Sequence, residues 1–344
     1  MSNEEFVLIC SQVRKAGENI RGDNACQKDY DIISQWRSAH IYPMTSMVSS
    51  IVYRVKKYKM RPLVLARRLK RLQSIELKLR RFSSMQLDRM QDIAGVRIVF
   101  KDLAEVMYFD LLLRRSLPRR FKLERVTSYI EKPKDDGYRS IHQIFRHASS
   151  PRIFLELQIR TQLQHYWATA VEVLGMKTNT KIKQGGGEGY YREFFGLCSA
   201  LFCLKESTPL PLVYKDLTKY QICDRIHQLD AEYNIFKHLS ALAISSKAIT
   251  QDKQIHNNFF IIKLDMSKNT LEIMGFRDFT MAQTQYASLE IQTHNDDTID
   301  VVLISLDKIK QLKSAYPNYY LDCSSFIGVV KKELDSSSSD KAQN

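Results

Sequence analysis

The pattern of apolar and polar positions predicts that the chain begins with helices. Apolar residues recur at three- and four-residue steps in 5–16 and 46–58, as they do on the buried face of an amphipathic helix. A short apolar run at 63–69 then predicts a strand, and Ser74 is a candidate N-cap for another amphipathic helix. We therefore expect residues 1–60 to be mostly helical and to lead into a sheet.

Short alternating runs, typical of a sheet protein, fill the middle of the chain. The predicted strands are 95–100, 122–126, 141–146 and 152–159, and the predicted helices are 103–113 and 161–174. Strands that alternate irregularly with helices predict an α+β fold, in which helices flank a small mixed β-sheet.

A second, smaller α+β unit is predicted near the C-terminus. Runs at 258–264 and 270–274 predict a hairpin, 298–304 a further strand, and 279–294 and 307–315 helices. The predicted organisation is therefore a large N-terminal domain, a helical connector, a small α+β domain and a disordered serine-rich tail, at 1–205, 206–250, 251–334 and 335–344. The glycine-rich segment 181–189 is typical of a mobile loop or a linker.

The charge of the chain narrows the class of its partner. Its formal net charge is +14, and residues 54–81 contain twelve Lys and Arg but one acidic residue, Glu76. A basic excess of this size favours a phosphate-rich partner, either a nucleotide or a nucleic acid. For the basic run alone, a solvated surface is the alternative interpretation.

Cysteine spacing and hydropathy indicate a cytoplasmic protein without a membrane segment. The six cysteines form no C-x-x-C pair and no zinc-ligand pattern, which favours free thiols in a reducing compartment and argues against a zinc finger in the C-terminal unit. Residues 1–20 lack the apolar core of a signal peptide, and the longest apolar stretch, 194–204, is too short to span a bilayer.

Three groups of polar residues have the character of a phosphate-handling site. Arg68, Lys70, Ser74 and Lys78 follow one another in the order R-x-K-x-x-x-S-x-x-x-K. Ser74 and Lys78 would share one helix face near a helix N-terminus, where phosphate groups bind well. Basic amphipathic helices are common, so this group alone is a weak signal.

The second group places carboxylates at predicted strands. Asp92 lies just before the strand at 95–100, and period-two alternation puts Glu156, Gln158 and Arg160 on one face of another strand. Such a face can form a sheet-based active site, and a solvent-facing polar face is the alternative.

The third group is a polar loop at 127–142. Lys134 and Arg139 bracket the turn Asp135-Asp136-Gly137, and Tyr138 follows at an exposed loop tip where its ring can stack on a base. A surface hairpin with a partly buried tyrosine is the alternative.

These groups occur together in four sequence blocks between Arg68 and Glu172. The blocks are RLKRLQSIELK, QDIAGVRI, YIEKPKDDGYRSIH and ELQIRTQLQHYWATAVE. In this order they resemble the synthetase domain of the RelA/SpoT family of alarmone synthetases, which has a nucleotidyltransferase-like fold. The resemblance covers about a third of the chain.

The resemblance implies a magnesium-dependent enzyme that moves pyrophosphate from ATP onto a ribose 3′-hydroxyl. Asp92 and Glu156 would be the catalytic, magnesium-binding carboxylates, and Glu156 would also help to remove the hydroxyl proton. Arg68 and Arg97 would enclose the adenine of ATP, and Lys70, Ser74 and Lys78 would bind its triphosphate. The implied acceptor-binding residues are Lys134, Tyr138, Arg139, His142, Gln158 and Arg160.

The domain layout resembles a subgroup of this family, the fused toxin–antitoxin synthetases of the CapRel type. Membership would imply transfer to the 3′-CCA end of tRNA, arrest of translation, and phage defence in which the C-terminal domain restrains the enzyme until a phage protein binds it. Tyr316 and Tyr319 form a Tyr-x-x-Tyr element and are the autoinhibitory candidates. The alternative for these tyrosines is ordinary packing in a small core.

Two further hypotheses about the function stay open. The acceptor of the same reaction could be free GDP or GTP, giving (p)ppGpp, or an adenine nucleotide, giving (p)ppApp. The chain could instead be a non-catalytic RNA-binding or sensor protein built on a synthetase scaffold, although intact Asp92 and Glu156 argue against this.

Overall fold

The computed structural model describes residues 3–117, 119–148, 150, 152–177, 189–242, 249–250, 259–268, 270–293, 296, 298–305 and 316–341. In this part of the chain the α-helices are α1 Asn3–Arg21, α2 Gln27–Ala39, α3 Ile41–Lys57, α4 Leu72–Arg81, α5 Leu103–Arg115, α6 Gln162–Lys177, α7 Gly189–Glu206, α8 Lys219–Tyr233, α9 Ile235–Ala241, α10 Phe279–Gln292 and α11 Ser324–Lys341. The strands are β1 Val64–Leu69, β2 Ala94–Phe100, β3 Phe121–Ser128, β4 Ile141–His147, β5 Phe154–Thr161, β6 Ile249–Thr250, β7 Phe259–Asp265, β8 Thr270–Phe276 and β9 Ile299–Ser305.

These strands form one mixed sheet in the order β3-β4-β5-β2-β1-β9-β7-β8-β6. Strands β2 and β5 are parallel, as are β6 and β8, and the other neighbours are antiparallel. The predicted α+β class with a mixed, helix-flanked sheet is confirmed. Strand β9 joins the two parts of the sheet, because it pairs with β1 at Arg67 and Arg68.

Helices cover both faces of the sheet. On one face α3 and α5 pack on side chains such as Val96, Ile98 and Leu157. On the other, α6, α7, α8, α9 and α11 form a continuous core with residues of β1, β2, β7 and β9, including Val99 and Val302. Side chains from both predicted domains therefore share one core, and the domain boundaries stay a prediction.

Several local expectations differ from the structure. Helix α4 begins at Leu72 with Arg71 as its N-cap, so Ser74 lies inside the first turn and is not the cap. Helix α11 continues through Lys341, where a disordered tail was expected, because Phe326, Val330 and Leu334 anchor its preceding turns in the core. The predicted helix at 307–315 and residues 181–188 lie outside the described residues.

A buried network ties the C-terminal part to the N-terminal helices. Arg37 on α2 donates to Glu290 on α10 at 2.6 Å (Nη1 to Oε2), and also to the Tyr286 hydroxyl at 3.0 Å. The same Glu290 carboxylate accepts the Leu72 backbone N–H at 3.0 Å and so satisfies the start of α4. In the described part of the chain, no helix combines the length and apolar character that a membrane crossing requires.

We expect Glu290→Ala to destabilise the protein by about 3–5 kcal/mol, because it leaves Arg37 charged and unpaired in the interior. The measurement is the free energy of unfolding from urea titration. The control is Asp23→Asn, which removes a pair with Arg80 whose side chains are 72% and 40% exposed and should cost about 0–1 kcal/mol. Equal losses in the two variants would contradict the structural role of Glu290.

Candidate active site

A cavity of about 130 Å³ opens where β1, β2 and β5 meet the start of α4. Strands β2 and β5 run parallel with Gly95 opposite Glu156 and Arg97 opposite Gln158. Side chains alternate between the two faces of each strand, so these residues face the cavity and their apolar neighbours pack in the core under α3 and α5. Of the predicted site residues, the cavity is lined by Arg68, Lys70, Ser74, Asp92, Arg97, Glu156 and Gln158, and by the autoinhibitory candidate Tyr316.

Asp92 is paired with two lysines, one just before α4 and one within it. Its Oδ2 lies 3.0 Å from Lys70 Nζ and 2.9 Å from Lys78 Nζ. Burial alone would raise the pKa of Asp92, but the two positive charges outweigh it and lower the pKa below its usual value. Asp92 Oδ1 is buried and has no hydrogen-bond partner among the described residues. One oxygen of an ionised carboxylate is therefore available to a ligand.

Glu156 is held by His142 and Gln158. His142 Nδ1 lies 2.9 Å from Glu156 Oε1, and Gln158 Nε2 donates to Oε2 at 2.8 Å. Burial opposes ionisation, yet these hydrogen bonds and the His142 charge lower the pKa of Glu156 to about 2. Glu156 is therefore ionised throughout the neutral range.

The bonds continue from His142 to the predicted acceptor residues. His142 Nε2 lies 2.6 Å from the Tyr138 hydroxyl, which also accepts a hydrogen bond from Arg160 Nη2 at 2.6 Å. The structure thus connects Glu156, His142, Tyr138 and Arg160 in one chain of hydrogen bonds.

Positive charge is concentrated beside the carboxylates. Burial, together with the charges of Arg160 and Arg68, lowers the pKa of Arg97 to about 10. Arg97 Nε has no hydrogen-bond partner among the described residues. A cluster of cations in which one is short of partners is suited to an anionic or aromatic ligand.

The two carboxylates fit a magnesium ion that is brought with a nucleotide. No group of three or more His, Cys, Asp or Glu side chains able to hold a metal occurs among the described residues. Magnesium commonly binds through one or two carboxylates and completes its shell with substrate phosphates and water. The free Oδ1 of Asp92 and the neighbouring Glu156 meet that requirement.

Other predicted site residues lie elsewhere or differ from expectation. Arg139 does not reach the cavity: it is buried and donates to Glu206 Oε2 at 2.6 Å. Tyr138 is half-buried and not at an exposed tip, because the Ser199 hydroxyl on α7 donates to the carbonyl of Gly137. Lys134 is exposed, with Nζ 5.3 Å from the centre of the Tyr138 ring. Tyr319 is fully buried outside the cavity lining.

Sequence reasoning missed two charged residues of the cavity lining, Arg67 and Arg71. The Arg67 carbonyl accepts the Tyr316 hydroxyl at 2.8 Å, and the Arg71 guanidinium forms an ion pair with Asp300 at the start of β9. Both arginines belong to the predicted basic tract, so the signal was the density of cations around Arg68.

Comparison with known proteins matches this same region. Residues 67–184 fit the family model described as the region found in RelA and SpoT proteins. This matched region is about a third of the chain. The match begins within β1 and continues through β5 and α6, and it includes every predicted ATP-binding and acceptor-binding residue.

Over part of its length the chain is similar to two curated proteins of Bacillus subtilis (strain 168), both named GTP pyrophosphokinase. YjbM is 32% identical over 106 residues, which are 29% of this chain and 48% of YjbM. YwaC is 28% identical over 100 residues, which are 28% of this chain and 47% of YwaC. The chain thus spans about half the length of the curated relatives it matches. Their names agree with the enzyme class predicted from the sequence.

Two solved structures also overlap with this one. A GTP pyrophosphokinase family protein from Streptococcus pneumoniae has a TM-score of 0.43 and 22% identity, over 50% of this chain and 88% of that chain. Small alarmone synthetase 2 from Bacillus subtilis has a TM-score of 0.41 and 20% identity, over 59% of this chain and 97% of that chain.

The low pKa of Glu156 predicts a specific loss of stability in acid. Because folding lowers this pKa from 4.5 to about 2, the stabilisation is complete above pH 4.5 and is lost as the pH falls toward 2. Between pH 5 and 2, the unfolding free energy of the natural protein should fall by about 3 kcal/mol more than that of Glu156→Gln. Urea titrations across this range measure the difference, and parallel curves would contradict the assignment.

Proposed function

We propose that this protein is an ATP-dependent pyrophosphokinase whose acceptor is a ribose 3′-hydroxyl. The observation that carries the proposal is the pair of ionised carboxylates, Asp92 and Glu156, in one cavity with the cations Arg68, Lys70 and Arg97. In the reaction the 3′-oxygen attacks the β-phosphorus of ATP, the bond to the α,β-bridging oxygen breaks, and AMP leaves. Positioning and charge neutralisation dominate catalysis of such transfers.

The cavity residues and Lys78, which pairs with Asp92, divide this work. Lys70 and Lys78, which pair with Asp92 in the structure, would turn toward the triphosphate when ATP binds. Asp92 and Glu156 would hold magnesium, which when bound neutralises charge on the β- and γ-phosphates. Arg68 and Arg97 would lie against the adenine, where planar guanidinium groups stack well.

Glu156 has a narrower role than the resemblance implies. With a pKa of about 2 it is a weak base, so it would first orient the attacking hydroxyl by accepting its hydrogen bond. It would take the proton only as the bond to phosphorus forms and the hydroxyl becomes acidic. His142 and Gln158 keep the carboxylate in place for this purpose.

We propose the 3′ end of tRNA as the acceptor. The support is the net charge of +14 and the basic tract, which exceed what a free nucleotide needs. A second candidate is free GDP or GTP, which is favoured by the name GTP pyrophosphokinase of both relatives. The toxin role, phage defence and likeness to the CapRel group depend on the first acceptor and stay predictions.

Asp92→Asn and Glu156→Gln should each lower pyrophosphate transfer at least about 100-fold, because each removes a charge from the reacting centre. The assay supplies β,γ-labelled ATP and magnesium with deacylated tRNA, GDP, GTP and AMP, and identifies which acceptor becomes labelled. The control is Glu124→Gln, which alters a carboxylate on β3 that pairs with Arg146 on β4 and does not line the cavity. Natural turnover in either cavity variant would refute the proposed site.

We further propose that Tyr316 restrains the enzyme from within. Tyr316 is 2% exposed, lines the cavity, and follows β9, which pairs with β1 beside Arg68. The cavity of about 130 Å³ is small beside the roughly 300–1,000 Å³ of ordinary ligand pockets. The Tyr316 ring would therefore compete with adenine for the space near Arg68 and Arg97. A phage protein that binds the C-terminal unit would be the predicted trigger for its release.

Tyr316→Ala should increase the affinity for ATP about 5- to 150-fold, the usual range of coupling between a restraint and a ligand. Calorimetric titration with a non-hydrolysable ATP analogue measures this affinity. The control is Tyr320→Ala, in the same turn but outside the cavity lining. An unchanged or weaker affinity in Tyr316→Ala alone would contradict the restraint.

A further inference from the structure

Four tyrosine rings are exposed on the α3 and α5 side of the molecule. Tyr42, Tyr53, Tyr58 and Tyr108 are 56%, 60%, 38% and 50% exposed. Tyr42 and Tyr53 lie on α3, Tyr58 ends it, and Tyr108 lies on α5. Aromatic side chains usually bury most of their surface, so a group of open rings indicates an interaction site.

Cations accompany these rings. Lys57 Nζ lies 5.9 Å from the centre of the Tyr53 ring and 5.5 Å from that of Tyr58, and the Arg120 guanidinium lies 5.7 Å from that of Tyr42. The Tyr58 and Tyr108 ring centres are 6.5 Å apart. We call this surface, formed by the exposed residues of 42–61, 108–117 and 119–120, the basic tyrosine face.

Several cations of the basic tyrosine face lack an acidic partner in the described part of the chain. Residues 41–63 contain no acidic side chain, and 114–120 contain four arginines without one. Arg54 joins these two segments by donating to the Ser116 hydroxyl at 3.3 Å. Among the described residues, no salt bridge involves the exposed cations Lys56, Lys57, Lys59, Arg61, Arg115 and Arg119.

The fold thus divides the basic tract 54–81 between two surfaces. Its second half enters the candidate active site, where Lys70 and Lys78 pair with Asp92 and Arg71 pairs with Asp300. Its first half lies on the opposite side of the sheet, on the face covered by α3 and α5. The first half therefore lies away from the cavity that would hold ATP and is open to a different ligand.

The basic tyrosine face begins at the same end of the sheet as the carboxylates. The Tyr42 and His147 rings are 5.9 Å apart. His147 ends β4, and the preceding residue pairs with Phe154, two positions before Glu156. From there α3 runs for 17 residues, or about 25 Å. A molecule lying along α3 could therefore reach around this end of the sheet to the cavity.

We infer that the basic tyrosine face binds the body of a structured RNA whose 3′ end enters the candidate active site. This inference rests on the proposed function, because the RNA that binds the basic tyrosine face is the acceptor proposed there. Free lysines and arginines would contact phosphates, and the open tyrosine rings would stack on unpaired bases. A free nucleotide has neither the length nor the charge to use a surface of about 25 Å.

The test is a fluorescence-anisotropy titration of the full chain with labelled deacylated tRNA, without ATP, from 50 to 200 mM salt. The face variant is Lys56→Ala, Lys57→Ala and Arg115→Ala together. The control variant removes three exposed lysines on the opposite helical side, as Lys215→Ala, Lys237→Ala and Lys332→Ala. The net charge falls by the same amount in the two variants.

The face variant should bind tRNA at least tenfold more weakly than the natural protein does. A plot of the logarithm of the association constant against the logarithm of the salt concentration should become shallower, by about 0.9 in slope for each phosphate that is no longer neutralised. The control should bind as the natural protein does. Tyr53→Leu should also weaken binding, while Tyr53→Phe, which keeps the ring, should not. Equal weakening in both triple variants, or weakening in neither, would overturn the inference.

Two further measurements distinguish RNA from a membrane as the ligand, and RNA binding from pyrophosphate transfer. Vesicles containing phosphatidylserine test for a membrane: loss of vesicle binding with unchanged tRNA binding in the face variant would overturn the inference. Pyrophosphate transfer to a CCA trinucleotide should be the same in the face variant and the natural protein, while transfer to tRNA declines. Binding of tRNA through the face without any transfer would overturn the proposed reaction and leave the inference standing.

Discussion

The parallel pairing of β2 with β5 is the constraint on which the candidate site depends. It sets Gly95 opposite Glu156, and so brings Asp92, just before β2, to a carboxylate that is distant in sequence. A shift of one residue would turn Glu156 into the core and Leu157 into the cavity. The apolar residues under α3 and α5 prevent that shift, because each would lose its burial. Packing on one face of the sheet thus fixes the chemistry on the other.

Strand β1 links this chemistry to the C-terminal part of the chain. It pairs with β2 along its whole length on one side, and with β9 at Arg67 and Arg68 on the other. Arg68 is therefore both a cavity residue and a residue that pairs with the C-terminal strands. Any movement of β9 would change the surroundings of the cavity directly, without a long series of intermediate residues.

Local pattern was enough to predict most of the elements, because apolar periodicity reflects which face of a strand or helix is buried. The strands at β1, β2, β4 and β5 and the hairpin of β7 and β8 follow from it. Pattern does not encode partners that are far apart in sequence. The pairing of β1 with β9, and the bond from Leu72 to Glu290, depend on how the whole chain packs and were not predicted. The predicted exposure of Tyr138 is wrong for the same reason, since Ser199 on α7 holds the turn before it.

The basic tract shows why charge in the sequence needs the fold for its interpretation. Along the chain, Lys57 and Lys70 belong to one run of cations and suggest a single binding site. In space, Lys70 is paired with Asp92 in a cavity, whereas Lys57 lies beside two open tyrosine rings on the other side of the sheet. Buried cations must find an anion close by, since desolvation is costly, whereas exposed cations remain available to a polyanion. A single composition signal is therefore divided between two surfaces, which we propose for a nucleotide and for a longer nucleic acid.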